Sequence, residues 1–219
     1  PAPDAVAELF GRICRIEVPE DGIVFDPATL RIEAVRELDK YQGIRLSVSG
    51  NLARAVIPVQ IDIGFGDHIY PAPVRRTFPG LLPELPAARV LMYPPETVVA
   101  EKFEAMVRFG EGNGRVKDFH DIWVAARTFP FQLPQLVEAV GGTLRRRETP
   151  VPVDIPVGLT EVFAAIVDEK GLWTGFLRRT PPTLPPPAFP DLLEELRRFL
   201  GPVIAALARP EAARGQWDP

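Results

Sequence analysis

Residues 98 to 126 read VVAEKFEAMVRFGEGNGRVKDFHDIWVAA. The first half has the pattern of an amphipathic helix, with Lys102 set among Val99, Phe103 and Met106. A glycine-rich break, FGEGNGR, follows, and then VKDFHDIW, in which Phe119, Ile122, Trp123 and Ala126 fall at i, i+3, i+4 and i+7, the spacing of a buried helical stripe. Asp118 and Asp121 are three residues apart and share one face of that second helix. The glycines let the backbone reverse between the two helices, so the pair can lie antiparallel and bring Lys102 towards Asp118.

Upstream of this stretch the hydrophobic period is two. In GIRLSVSG, Ile44, Leu46 and Val48 alternate with Arg45, Ser47 and Ser49, as in a half-buried strand. Ser49-Gly50-Asn51 supplies turn chemistry, and VQIDIGFGD then places Val59, Ile61 and Ile63 opposite Gln60 and Asp62. These two runs are expected to pair antiparallel. ARVLMY near residue 90 is a further strand, while Pro71, Pro73, Pro79, Pro83 and Pro86 keep the intervening stretch as loop. PDAVAELFGRI, straight after Pro1, reads as the tail of a helix. Either upstream residues are missing or an initiator methionine has been removed.

From YPPETVVAEKFEAM onward the chain turns helical. Pro95 suits a first helical turn and Glu96 complements the positive end of the helix dipole. Further helices are expected near 134–147, 159–169 and 191–208, the last carrying Leu192, Leu193, Leu196, Phe199, Leu200, Val203 and Ile204 on one face. TPPTLPPPAFP before it is a stiff connector. The fold class is therefore α+β: a sheet lobe, mixed or antiparallel, over residues 1–93, followed by a helical lobe over 94–219.

The bulk properties narrow the class. The 219 residues, 46% hydrophobic and 25% charged, are enough for a globular core, and no apolar run reaches the roughly 18 residues needed to span a bilayer. A net charge of -4 argues against a non-specific nucleic-acid coat. The single cysteine, Cys14, rules out a disulfide within the chain; with no signal-peptide pattern, a reducing cytoplasm is the expected compartment.

Three residue groups can carry chemistry. Asp62 lies mid-strand between isoleucines, a costly place for a carboxylate unless it meets water, a cation or a donor; the plainer reading is a solvated sheet face. Lys102 borders a buried stripe, where the plainer reading is a lysine whose stem covers apolar surface while its head reaches water. Lys117 stands four residues before Asp121 and suits an ordinary surface pair, whereas Asp118 has no such partner in its own segment. A lysine and an aspartate facing a strand-borne Asp62 would make a polyphosphate and metal site, the lysine neutralising phosphate and a carboxylate binding Mg2+ or activating a hydroxyl. Arg75-Arg76, Arg145-Arg146-Arg147 and Arg178-Arg179 are read as solvated charges in preference to an RNA-binding surface. His68 and His120 lack metal-ligand spacing; His68 reads as a loop residue and His120 as a partly exposed helical one.

VQIDIGFGDHIYPAP, YPPETVVAEKFEAM and GRVKDFHDIW, in this order, closely resemble the AbiEii/AbiGii toxin family of nucleotidyltransferases, with a looser likeness through RRRETPVP and LWTGFLRR. The resemblance covers most of the chain. It implies a polymerase-beta-like sheet lobe and a helical second lobe. It also implies a toxin of a toxin–antitoxin pair that uses a nucleoside triphosphate and Mg2+ to modify a target, in some relatives the 3' acceptor end of tRNA, with a cognate antitoxin as partner and no membrane. Asp62 matches the family's later strand carboxylate and is the metal ligand so implied. Lys102 matches its helical, triphosphate-holding lysine. Asp118 matches the catalytic acid, and Asp121 the second acid of that block, expected to support the site.

One family motif is missing. A Gly-Ser or Gly-Thr followed some ten residues later by paired acids should precede the IDI strand, and nothing before Ile61 fits: Glu20-Asp21 are adjacent acids with no such dipeptide before them. Gly142-Thr143 with Asp154 imitates the spacing, but with one acid and late in the chain. By itself the chain is thus expected to be catalytically incomplete. The competing expectation is a non-catalytic family member that binds a nucleotide or a partner protein; a further variant is transfer to protein instead of RNA.

Overall fold

The computed structural model describes residues 3–18, 21–37, 41–80, 82 and 84–209. Pro1, Glu20 and Pro83, named above, lie outside them. The chain is α+β and divides into two compact units: Pro1–Asp67 with Thr77–Arg89, and His68–Arg76 with Val90–Pro219.

The first unit opens with helix α1 (Pro3–Ile13), which carries Asp4 in its first turn and Arg12 in its last, each favourable to the helix dipole. Strands β1 (Ile23–Glu37), β2 (Tyr41–Leu52) and β3 (Ala55–Ile63) form an antiparallel sheet in that order. Ile44, Leu46 and Val48 of β2 face inward, opposite Ile63, Ile61 and Val59 of β3, and are buried with Val6 and Cys14. The alternation in β2 is thus a buried face, while on β3 Val59 and Ile63 are half-buried and Ile61 is exposed.

Two details differ from expectation. Ser49-Gly50-Asn51 is strand, not turn; the reversal comes at Ala53-Arg54, with Ala53 at φ 51°. Gly50 is there for space, since a Cβ on it would stand 3.2 Å from Ile23 and 3.3 Å from the Phe25 ring. The long strand β1 is the second difference; its ladder is interrupted between Asp26 and Arg31 around Pro27, which has no N–H to give. Side chains mend the gap. The Thr29 hydroxyl donates to the Asp26 carbonyl at 2.7 Å and accepts the Ser49 N–H at 2.9 Å, while Asp26 Oδ1 accepts the Ala28 N–H at 2.9 Å.

A two-stranded sheet, β4 (Val74–Phe78) and β5 (Ala88–Met92), follows. ARVLMY was expected to be a strand; β4 was not, since prolines 73 and 79 bracket it so closely that only five residues remain.

The second unit is built from α2 (Pro95–Phe109), α3 (Val116–Thr128), α4 (Leu133–Arg146), α5 (Glu161–Glu169), α6 (Leu172–Arg179) and α7 (Phe189–Ala208). Phe103 and Met106 of α2, Phe119 and Ile122 of α3, Leu136, Val140 and Leu144 of α4, and the apolar face of α7 form one core. Phe119 stacks on Phe163 with centroids 5.2 Å apart. The helix α6 was missed: at eight residues it shows only Trp173 and Phe176 as a buried pair. The segment His68–Arg76 is tied into this unit. Tyr70 and Thr97 exchange hydrogen bonds at 3.0 Å, and His68 lies so close to Gly142 of α4 that a Cβ there would stand 2.0 Å from its Nε2.

Candidate functional site

Helix α2 buries Val99, Phe103 and Met106, which leaves Lys102 at the edge of that stripe with a side chain 20% exposed. The helix stops at Gly110, whose φ of 51° and ψ of -131° suit only glycine. Its N–H caps the Met106 carbonyl, and a Cβ there would meet Val157 at 3.5 Å. A 3-10 turn over Gly110–Gly112 leads to buried Asn113, whose Oδ1 accepts the Arg115 N–H at 2.8 Å, and α3 starts one residue on. Asp118 sits in the first turn of α3, where the helix dipole favours a carboxylate.

This arrangement closes a charge cluster. Lys102 Nζ is 2.7 Å from Asp118 Oδ1 and 2.7 Å from Asp121 Oδ2. Arg115 Nε stands 2.7 Å from Asp118 Oδ2, and Lys117 Nζ 2.6 Å from Asp121 Oδ2. Asp118 therefore does have a partner in its own segment, three residues back at the N-cap, and the expectation that it had none is corrected: Arg115 is brought alongside by the first helical turn. The Lys117–Asp121 pair is as expected. Lys102 is no snorkelling lysine, since its head ends between two carboxylates.

Burial works against the Lys102 ammonium, but hydrogen bonds to Asp118 and Asp121 outweigh it and raise its pKa above the ordinary 10.5. Burial likewise pushes the Asp121 carboxyl up, and bonds from Lys102 and Lys117 overcome it, so the net pKa falls below 3.8. At neutral pH both groups are charged. Three cations face two carboxylates, so the cluster carries one surplus positive charge.

Asp62 lies in the first unit, on β3 directly across from Arg45 of β2. Arg45 grips it with two bonds, Nε to Oδ1 at 2.7 Å and Nη2 to Oδ2 at 2.9 Å; those bonds from Arg45 hold the Asp62 carboxyl below its ordinary pKa. The face is exposed, as the plainer reading of Asp62 had it. Lys102, Asp118 and Asp121 are thus brought together within the second unit, and Asp62 belongs to the other.

A second network escaped the sequence reading. Glu104 is wholly buried, yet its carboxylate accepts the Thr149 hydroxyl at 2.6 Å and Arg147 Nη1 at 2.9 Å, with Arg108 Nε at 3.1 Å. Arg147 also comes within 3.4 Å of Glu101. Arg147, read as solvated, is instead drawn inside. A signal was present: Glu104 shares the apolar stripe of Ala100 and Phe103, and an acid there must find cations. Arg145, Arg146, Arg178, Arg179, Arg75 and Arg76 are exposed, in keeping with solvated charge. His68 is a loop residue as expected, but His120 is buried, not partly exposed, because α3 turns it towards Trp123, Trp173 and Phe176 at centroid distances of 5.9, 6.4 and 5.5 Å. Gly142 and Thr143 lie buried inside α4, which removes them as a turn motif, and Asp154 is exposed elsewhere.

Among the described residues, no group of three or more His, Cys, Asp or Glu side chains could hold a metal ion. Mg2+ takes an octahedron of oxygens, whereas these carboxylates are engaged by the chain's own cations, so the donor set does not fit a Mg2+ cage. Among the same residues, no helix is long and apolar enough to cross a membrane.

A family model described as Nucleotidyl transferase AbiEii toxin, Type IV TA system, matches residues 1–195. No curated protein and no solved structure matches the chain.

Proposed function

The chain belongs to the AbiEii nucleotidyl transferase toxin family of type IV toxin–antitoxin systems, and from that premise we propose that it transfers a nucleotidyl group from a nucleoside triphosphate to an acceptor hydroxyl on RNA, with tRNA as the favoured class. The observation that carries this reading is the Lys102 ammonium, held charged between Asp118 and Asp121 where the two helices meet. An incoming triphosphate competes with the carboxylates for Lys102, and the surplus positive charge of the cluster favours that exchange. Asp118 Oδ1, released from Lys102, then faces the acceptor. The hydroxyl oxygen attacks the α-phosphorus as the bond to the β-phosphate oxygen breaks. The hydroxyl proton passes to Asp118, and pyrophosphate leaves. Lys102 offsets negative charge developing on the phosphates, worth up to several kcal/mol in a site sheltered from water. Asp121 holds Lys102 in place.

Mg2+ enters this proposal only as the counter-ion of the triphosphate. Asp62 is assigned to the reaction by resemblance alone. The setting is the cytoplasm, and the partner is a cognate antitoxin.

Incubation of the full chain with each labelled NTP, Mg2+ and total RNA tests the proposal. Label on RNA with matching pyrophosphate release is expected. Saturable nucleotide binding without transferred label would instead support a binder that does no chemistry, a reading favoured by the ion pairing that already occupies Asp62, Asp118 and Asp121. Label on protein would move the acceptor from RNA to a polypeptide.

A further inference from the structure

Two buried nitrogens in one aromatic cluster have no hydrogen-bond partner among the described residues: Nε2 of His120 on α3 and Nε1 of Trp173 on α6. Both residues are more than nine-tenths buried, at 8% and 7% exposure, and their rings lie 6.4 Å apart, centre to centre. A buried polar atom left unpaired loses its hydration with nothing in exchange. Indole N–H is a donor only, while an imidazole nitrogen is a donor or an acceptor according to its tautomer. A proton on Nε2 would set two donors in the same apolar cluster with nothing to accept them. A lone pair on Nε2 gives the indole an acceptor through one bridging water.

The other side of the ring selects the same tautomer on separate grounds. His120 Nδ1 stands 3.9 Å from Asp121 Oδ1, too long for a hydrogen bond but well within electrostatic reach. A lone pair on Nδ1 would oppose the carboxylate, and a proton there attracts it. The opposite oxygen of Asp121 holds Lys102 and Lys117.

We infer that His120 is a positioning residue: the Trp173 indole draws its Nε2 lone pair, the proton stays on Nδ1, and that proton steadies the Asp121 carboxylate that holds Lys102. The fixed tautomer of a buried ring thereby links the aromatic core of α3 and α6 to the charge cluster. The inference deepens the proposed function by naming what orients Asp121. Its test needs no turnover, so it stands or falls apart from the transferase reading.

Long-range nitrogen–proton NMR of 15N-histidine-labelled full chain at pH 8, with His120→Gln identifying the signals, reads the tautomer. The expected result is an unprotonated Nε2 and a protonated Nδ1 for His120, with the Nε2 resonance shifting in Trp173→Phe. A proton on Nε2 in the wild type overturns the inference even if Trp173→Phe does not fold. A carbon-detected titration of Asp121 reads the positioning. Its midpoint should rise in His120→Phe and return towards the wild-type value in His120→Asn, whose amide N–H takes the place of Nδ1–H. An unchanged midpoint in a folded His120→Phe variant overturns the role.

Discussion

Lys102 and Asp118 are 16 residues apart in the chain, and the ammonium of one lies 2.7 Å from a carboxylate oxygen of the other. Between them runs the glycine-rich connector, so the pair exists only because α3 comes back along α2. Asp118 is nearly shut off from water at 6% side-chain exposure. Such a group cannot lose a cation without consequence.

Lys102→Met is therefore expected to act twice. It leaves Asp118 with Arg115 alone and should lower stability by about 3 kcal/mol, within the range for breaking a buried pair. It should also abolish NTP-dependent labelling. Asp118→Asn keeps the shape and leaves Lys102 to Asp121, so its melt should fall less while labelling is still lost. Urea melts beside the labelling assay check both, and wild-type labelling in either folded variant removes that residue from the reaction.

Stability should depend on pH through the same cluster. The Asp121 pKa is depressed, so its contribution is present above the ordinary 3.8 and lost as pH falls through the lower folded value. The Lys102 pKa is raised, so its contribution is full below 10.5 and lost as pH climbs through the higher folded value. The urea midpoint should hold a plateau between these limits. Asp121→Asn should flatten the acid limb, and an acid limb unchanged in that variant would remove Asp121 as its source.

Glu104→Ala strands Arg147 and Arg108 beside an apolar core and should cost about 3–5 kcal/mol. Thr149→Val removes one bond to the same carboxylate and should cost about 1.5–3 kcal/mol. Replacing both charges, as Glu104→Leu with Arg147→Met, should recover much of the loss. Equal destabilisation in the single and double variants would refute the coupling.

Gly142→Ala sets two effects against each other. Alanine is favoured over glycine inside a helix by about 1 kcal/mol. Here the added carbon would fall 2.0 Å from His68 Nε2, and the forced displacement should cost more, about 1–3 kcal/mol net. A second change, His68→Ala, should turn Gly142→Ala from destabilising to stabilising. A clash elsewhere would leave the cost in place.

Asp62→Asn offers a clean separation of roles, because the Arg45–Asp62 pair is exposed and adds little to the fold. An unchanged melt with lost labelling assigns Asp62 to the reaction; unchanged labelling leaves it as the partner of Arg45.

Local pattern made much of this molecule legible. The stripe of α3, the alternation in β2 and β3, and the apolar face of α7 repeat within a few residues, and burial followed the repeat except at Ile61, which is 36% exposed. Lys102, Asp118 and Asp121 stood out because charge at the margin of such a stripe is conspicuous. The Glu104 network did not, since its partners Arg147 and Thr149 are 43 and 45 residues away and only packing of α4 on α2 brings them in. Gly50 misled for a related reason: a residue chosen to make room for Phe25 has the composition of a turn. β1 does alternate, with Leu30 and Ile32 against Arg31 and Glu33, but the run is short and lies past Pro27, where the ladder breaks and a threonine hydroxyl repairs it.

Glycines in the connector let the chain reverse, yet Gly110 is locked into one backbone shape and Asn113 fastens the start of α3. The connector therefore sets length, not phase. A helix keeps its own faces whatever precedes it, so the apolar stripe of α3 turns to the core by itself, and the connector decides how far along α2 the two acids come to rest.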